Sequence, residues 1–185
     1  MDEKRLETRQ LTLVAATPAL LDAELESPAH LAALLKAQVE PGWPPGEYDR
    51  AAQEFFRRQM EKDGTAGWLV WYAIRRGTPE YPAVLVGAGG YGGPPDRDGG
   101  VEIGFSVLPG WQKRGYATEM ARALIENAFS ESKVEQVVAH TTEDNTASRR
   151  VLEKSGFVMT GTDNGQLRYE VRQRPAGSVL IIPRG

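Results

Sequence analysis

Residues 101–118 read Val101-Glu102-Ile103-Gly104-Phe105-Ser106-Val107-Leu108-Pro109-Gly110-Trp111-Gln112-Lys113-Arg114-Gly115-Tyr116-Ala117-Thr118. Val101, Ile103, Phe105 and Val107 alternate with Glu102, Gly104 and Ser106, the period of a strand with one face buried. Pro109-Gly110 ends that strand. Gln112-x-x-Gly115-x-Ala117 then opens a helix, and from Thr118 onward Ala121, Leu124, Ile125 and Ala128 share one helical face. Small residues at 115 and 117 let backbone N–H groups come close to a ligand. A helix N-terminus supplies unpaired donors and a partial positive charge, and Lys113 and Arg114 add two full charges. Together these suit an anion of pyrophosphate type. On the hexapeptide alone, a plain strand–turn–helix whose glycine serves only the turn reads equally well.

Outward from this unit, the chain alternates between strand and helix patterns. Leu6 to Val14 suits a first strand, and Thr17-Pro18 and Ser27-Pro28 each pair a capping hydroxyl with proline at the first helical position. Residues 41–46, Pro-Gly-Trp-Pro-Pro-Gly, break the helix. Tyr48, Ala52, Phe55, Phe56 and Gln59 share a face of the next helix. Strands are expected at Trp68–Ile74, Ala83–Tyr91 and Val134–Thr141, followed by a closing pair at Phe157–Thr162 and Leu167–Val171. A helix capped by Asp144-Asn145 runs to about Ser155 and stops at Gly156. Gly87-x-Gly89-x-x-Gly92 has the letters of a dinucleotide fingerprint, but Gly93-Pro94-Pro95 follows it and forbids the helix that motif requires. These glycines instead mark a distorted strand lining a cleft, or a bulge. The fold class is α/β, an α+β layered domain on a central, mostly antiparallel twisted sheet flanked by helices. Residues 1–174 form a single domain and 175–185 a tail, whose apolar run Val179–Ile182 is suited to an added strand or a partner.

A second motif supports the first. Asn145-Thr-Ala-Ser148-Arg-Arg-Val151-Leu152-Glu153-Lys154-Ser-Gly156-Phe157 resembles motif B of the GNAT acetyltransferase superfamily, as 101–118 resembles its motif A. Within the superfamily the pair resembles the RimJ/RimL branch of ribosomal-protein N-terminal acetyltransferases, and the similarity spans about residues 6–172. The resemblance implies the GNAT fold and acetyl-CoA as cosubstrate, with coenzyme A as product. It implies that Phe105, Ser106 and Val107 offer backbone groups to the pantetheine arm and acetyl carbonyl. It implies that Gln112, Lys113, Arg114, Gly115, Tyr116, Ala117 and Thr118 hold the pyrophosphate, and that Asn145 and Ser148 contact coenzyme A. Asn145 also suits a helix N-cap, and the two roles are compatible.

The reaction implied is direct attack of a neutral amine on a thioester. An α-amino group, with a pKa of about 7.7–8.0, is partly neutral near pH 7, whereas a lysine amine at about 10.4 depends on a base. Glu102 is the candidate base, acting through water from the strand face opposite Val101 and Ile103; an exposed or ion-paired strand glutamate is the other reading of it. Many GNAT enzymes protonate the departing thiolate with a tyrosine on the motif B helix, and here that position is Leu152. A thiol with a pKa of about 8.5 is a tolerable leaving group without it. The acceptor is a protein N-terminus or a small-molecule amine, with Trp43, Tyr48, Trp68, Trp71 and Tyr91 as candidates for either its cleft or the core. A non-catalytic acyl-CoA sensor and an interaction module that keeps only the fold are the competing readings.

Composition narrows the field. The 185 residues suit one domain. A net charge of −3 gives no general attraction to nucleic acid or anionic lipid. With no cysteine there is no disulfide, thiolate metal site or thiol nucleophile, and the two histidines, His30 and His140, have no ligand spacing, so no metal is expected. No run approaches the roughly 20 apolar residues of a membrane helix, and the N-terminus lacks a signal-peptide pattern, so a cytoplasmic protein is expected. A homodimer is left open.

Overall fold

The computed structural model describes residues 3–172. Eight strands form one sheet in the order β1-β2-β3-β4-β5-β6-β8-β7. They are β1 Arg5–Glu7, β2 Leu11–Ala15, β3 Val70–Arg75, β4 Val84–Tyr91, β5 Gly100–Val107, β6 Gln136–Thr141, β7 Val158–Asp163 and β8 Gln166–Arg172. Every neighbouring pair is antiparallel except β5 with β6. Helices α1 Pro18–Glu26, α2 Pro28–Leu35 and α3 Arg50–Gln59 precede β3, α4 Tyr116–Phe129 joins β5 to β6, and α5 Thr146–Lys154 joins β6 to β7. The tail run Val179–Ile182 lies outside the described residues.

The first strand of the sequence reading is in fact a hairpin. Residues 8–10 leave the sheet because their polar groups have other partners. Thr8 Oγ1 accepts from the Leu11 N–H at 3.0 Å, and Arg76 donates to the carbonyls of Thr8 and Leu11 at 2.6 Å each and of Arg9 at 2.5 Å. The helix starts follow their capping signals. Thr17 accepts from the Leu20 N–H, Ser27 from His30 and Asp49 from Ala52, each cap contributing about 1 kcal/mol.

Two apolar layers sandwich the sheet. On β3, Trp71 and Ala73 face α4 and α5, while Val70, Tyr72 and Ile74 face α1–α3. Burial on both sides explains why this strand reads as a continuous apolar run rather than an alternation. On β4, Leu85 pairs with Ile74 but Gly87 pairs with Ala73, which leaves Val86 as one extra residue. This bulge inverts the alternation. Val84 and Val86 join the α4 side, and beyond the bulge Ala88 faces α1–α3 and Tyr91 faces α4. Tyr91 thereby donates to the Leu124 carbonyl at 2.5 Å and accepts from Asn127 Nδ2 at 2.8 Å. Bulges of this kind re-aim side chains beside functional sites. The glycines of β4 serve close backbone approach: a Cβ on Gly90 would come within 1.9 Å of the Leu69 carbonyl oxygen.

Candidate active site

The parallel contact between β5 and β6 is short. It pairs Gly100, Val101 and Glu102 with Gln136, Val137 and Val138, and then stops. Beyond it β5 stays paired to β4 as far as Val107, and β6 stays paired to β8 as far as Thr141. The two strands therefore part within β5, after Glu102, and not beyond its end. The edge of β5 from Ile103 to Val107 has no partner strand on the β6 side, so Phe105 and Val107 turn backbone groups to one wall of an open wedge; Ser106, expected to do the same, lies opposite Ala88 and turns its backbone groups to β4 instead.

The wedge leads to the start of α4. After β5 a short 3-10 turn, Pro109–Trp111, carries the chain to Gln112, whose Nε2 donates back to the Val107 carbonyl at 3.1 Å. Lys113 has φ 61° and Gly115 φ 83°. Gly115 is the N-cap of α4 and no side chain caps the helix, so the first-turn N–H groups of Tyr116, Ala117 and Thr118 are free of side-chain caps. Left-handed backbone at 115 is cheap only for glycine. Arg114 stacks on Trp111 at 5.1 Å, with Arg75 over the same ring at 5.2 Å, and Lys113 is exposed. The Tyr116 ring is buried in the core, so this residue presents only its backbone to the turn. Glu119 ties the first turn of α4 to the β1–β2 turn. Its carboxylate accepts from Thr8 Oγ1, from the Gln10 N–H at 2.5 Å and from Gln10 Nε2 at 3.0 Å. Partial burial raises its pKa, but these hydrogen bonds outweigh that and hold it below its ordinary value.

Asn145 caps α5, its side chain accepting from the Ser148 N–H at 3.1 Å; Asn145 is exposed and Ser148 half-buried. Leu152 is fully buried in the core. The motif B helix thus has a packing group where a tyrosine acid would stand.

A cleft of about 280 Å³ opens on the α1–α3 side of the same strands. Its floor includes Gly89, Gly90 and Gly104, its walls Tyr48, Ala52, Phe56 and Leu69, and its polar groups include Glu47 and Glu102. Of the aromatic candidates, Tyr48 and Tyr91 line it. Trp43 and Trp71 belong to the core, and Trp68 packs edge-on against Tyr91 at 5.0 Å.

Glu102 has the position its alternation predicts: it is exposed and faces the cleft while Val101 and Ile103 are buried. It is also ion-paired. His140 Nδ1 lies 2.7 Å from Glu102 Oε1, and His140 Nε2 approaches Asp163 Oδ2 at 3.3 Å, near enough for charge attraction without hydrogen-bond geometry. Sequence reasoning passed over His140 because its partners come from strands far away in the chain. The pairing of Val138 with Glu102, which puts His140 within reach, is set by the sheet register and leaves no local signal. Among the described residues no His, Asp and Glu set is placed to hold a metal ion, and no helix is long and apolar enough to cross a membrane.

Below the cleft sits Glu24, 7% exposed. Trp43 Nε1 and Gln53 Nε2 donate to its Oε1 at 2.8 and 3.1 Å, and the Tyr48 and Tyr72 hydroxyls donate to Oε2 at 2.7 Å each. Burial pushes its pKa up, and the four hydrogen bonds oppose that shift. Burial likewise pushes both tyrosine hydroxyls up.

The family model for the acetyltransferase (GNAT) domain matches residues 11–158. An uncharacterized N-acetyltransferase of Bacillus subtilis, YjdG, is 31% identical over 154 residues, covering 83% of this chain and 89% of that protein. Among solved structures, RimL, a ribosomal L7/L12 α-N-protein acetyltransferase in complex with coenzyme A, superposes with a TM-score of 0.64 at 15% identity, covering 91% of this chain and 98% of its own. Mycobacterium smegmatis RimJ gives a TM-score of 0.60 at 16% identity, over 92% and 86%. At those identities the two structures bear on the fold alone. The family match spans most of the sheet, including the wedge and the cradle, and with it the chain belongs to the GNAT acetyltransferase family and is an acetyl-transferring enzyme.

Proposed function

We propose that this chain moves the acetyl group of acetyl-CoA to a primary amine by direct attack, through a single acetyltransferase domain spanning residues 1–174. The observation that carries this reading is the wedge between β5 and β6 leading to the uncapped start of α4. The wedge leaves the N–H and C=O of Phe105 and the N–H of Val107 for an amide-rich arm, and one N–H there would polarise the thioester oxygen. Gln112 to Thr118 supply the anion site, with Lys113 and Arg114 adding charge and the free N–H groups adding direction. A Cβ at Gly115 would meet nothing within 4 Å, so the turn has open space beside it for a ligand. Asn145, exposed at the start of α5, and the half-buried Ser148 complete the set. The motif B residues support placement in the RimJ/RimL branch.

The amine nitrogen attacks the thioester carbon, the C–S bond breaks, and the departing sulfur takes a proton. Glu102, on the cleft face where β5 leaves β6, takes the proton that the nitrogen loses, through water. His140 positions it: a ring protonated on Nδ1 donates to Glu102 and fixes which carboxylate oxygen remains turned to the cleft. With Leu152 buried, the thiolate takes its proton from solvent or from the acceptor side.

Calorimetry with acetyl-CoA, followed by radiolabelled acetyl transfer to a panel of amines and N-terminal peptides, tests the reading. Saturable binding with one site and label on an amine are expected. Absence of acetyl-CoA binding overturns the reading.

A further inference from the structure

We infer that the acceptor is a primary amine carried on a compact apolar body, with no carboxylate beside the amine. This rests on the acetyl-transfer reading and names the substrate class of that same site. Three observations carry it. First, the cleft is largely apolar: Tyr48, Phe56, Leu69 and Val70 contribute rings and aliphatic carbon. Apolar surface of this kind gains free energy only by covering apolar surface. A body bearing further charges would lose hydration there without a partner.

Second, the charged lining of the cleft is acidic. Glu47 and Glu102 are its charged groups, and no lysine or arginine lines it. Behind the Tyr48 wall lies the Glu24 carboxyl, and its hydrogen-bond partners Trp43, Tyr48, Gln53 and Tyr72 are all neutral, so it brings no compensating cation to the cleft. The field in the cleft is therefore negative. It attracts an ammonium before deprotonation and repels an acceptor carboxylate, since like charges placed face to face are strongly disfavoured.

Third, the volume is small. About 280 Å³ lies at the lower edge of the range for small-ligand sites. It suits one aromatic or branched aliphatic group. Gly104 sets the position of the amine: a Cβ there would meet nothing within 4 Å, so bare backbone lies under open space between Glu102 and Ser106. An amine above Gly104 has the Glu102 carboxylate on one side and the wedge on the other.

The test uses the full chain, acetyl-CoA and a thiol-release assay. The probe amines are 2-phenylethylamine, phenylalanine amide, phenylalanine, spermidine and a short peptide beginning with phenylalanine. The kcat/KM for 2-phenylethylamine and phenylalanine amide is expected to exceed that for phenylalanine by about tenfold or more, through repulsion of its carboxylate. Spermidine is expected to fall behind by a similar factor, about tenfold. Turnover of the peptide as well as the free amines supports the inference and extends the source to protein N-termini; turnover of the free amines alone supports it and assigns small molecules. Glu47→Gln should narrow the amide-to-acid ratio. Ala52→Trp, which fills the cleft from α3, should abolish use of the aromatic amines while calorimetric acetyl-CoA affinity is retained. Spermidine or phenylalanine matching 2-phenylethylamine overturns the inference and leaves acetyl transfer standing. If acetyl-CoA binds but NMR titration finds no 2-phenylethylamine in the cleft of the coenzyme-A-loaded protein, the inference also falls. Loss of acetyl-CoA binding itself would instead count against the reading beneath it.

Discussion

Replacing Glu24 by alanine removes the acceptor for four buried donors at once. The donors come from the 41–48 segment, α3 and β3, so the carboxylate ties α1 to three other parts of the chain. Hydrogen bonds to a charged group contribute about 1.5–3 kcal/mol each. Against them stands the desolvation of the carboxylate, several kcal/mol, which the substitution relieves. The net expectation is a loss of about 4 kcal/mol, within the roughly 3–5 kcal/mol seen when one side of a buried charged contact is removed. For a chain of this length that corresponds to a fall in Tm of about 8–16 °C. Glu24→Gln keeps an acceptor oxygen for Trp43 and Gln53, and the tyrosine hydroxyls can rotate to accept from its amide, so a loss of about 1–2 kcal/mol is expected. Urea titrations reporting both midpoint and m-value are the assay, with m unchanged.

The pH dependence follows from the direction of the shift. Burial raises the folded pKa of Glu24 above 4.5, so the folded state holds this proton more tightly than the unfolded chain. Its contribution is most favourable below that value and declines as pH rises through the folded pKa. Glu24→Gln should lack this decline. A loss below about 1 kcal/mol in Glu24→Ala would mean that water replaces the carboxylate and that the cleft wall does not depend on it.

Other perturbations separate the parts of the site. Glu102→Gln should lower kcat by about 10²-fold or more with acetyl-CoA affinity retained, as loss of a base does. His140→Gln should lower kcat less, shift the pH profile of kcat/KM and leave the acceptor KM near its original value; an unchanged profile would make His140 a packing residue. Gly115→Val forces φ 83° on a β-branched residue, which should cost about 1–2 kcal/mol and weaken acetyl-CoA binding in calorimetry. Glu119→Gln should lower stability at neutral pH by about 1–2 kcal/mol. Because the folded pKa of Glu119 is held below 4.5, its contribution is present above that value and lost as pH falls through the folded pKa. The variant should therefore be flat where the wild-type protein declines in acid-limb melts.

The pattern read from the sequence locates β5, α4 and α5 closely because each depends on local chemistry. Alternation sets which side of β5 is buried, Gly115 marks a left-handed turn, and Asn145 marks a cap. Local patterns fail where distant partners decide. Leu6–Val14 alternates well enough for one strand, yet Arg76 takes the carbonyls of Thr8, Arg9 and Leu11 and turns it into a hairpin. Val86 fits its strand without interruption, and only the pairing with Ala73 and Ile74 exposes the bulge that sends Tyr91 toward α4. Glu24 looks like an ordinary helix acid, since its four partners lie between 19 and 48 residues away.

Glu102 joins these two kinds of information. Its orientation is local, set by alternation with Val101 and Ile103, but its place in the site depends on where the strands part. It is the last residue of β5 paired to β6. Had the pairing continued to Phe105, β6 would have taken the backbone groups of Ile103 and Phe105, and none would be left there for a thioester. Had it ended two residues earlier, Glu102 would have lost its register with Val138, and with it the approach to His140. The contact of Glu102 with His140 thus depends on the same register that opens the wedge. This makes the position hard to move. A proline at Ala139, which removes one backbone N–H from β6, should disturb the Glu102–His140 distance before it disturbs the cradle at Gly115, where Glu119 and the β1–β2 turn hold α4 independently. Activity lost while acetyl-CoA affinity persists is the expected outcome for Ala139→Pro, and parallel loss of both would show that wedge and cradle form one unit.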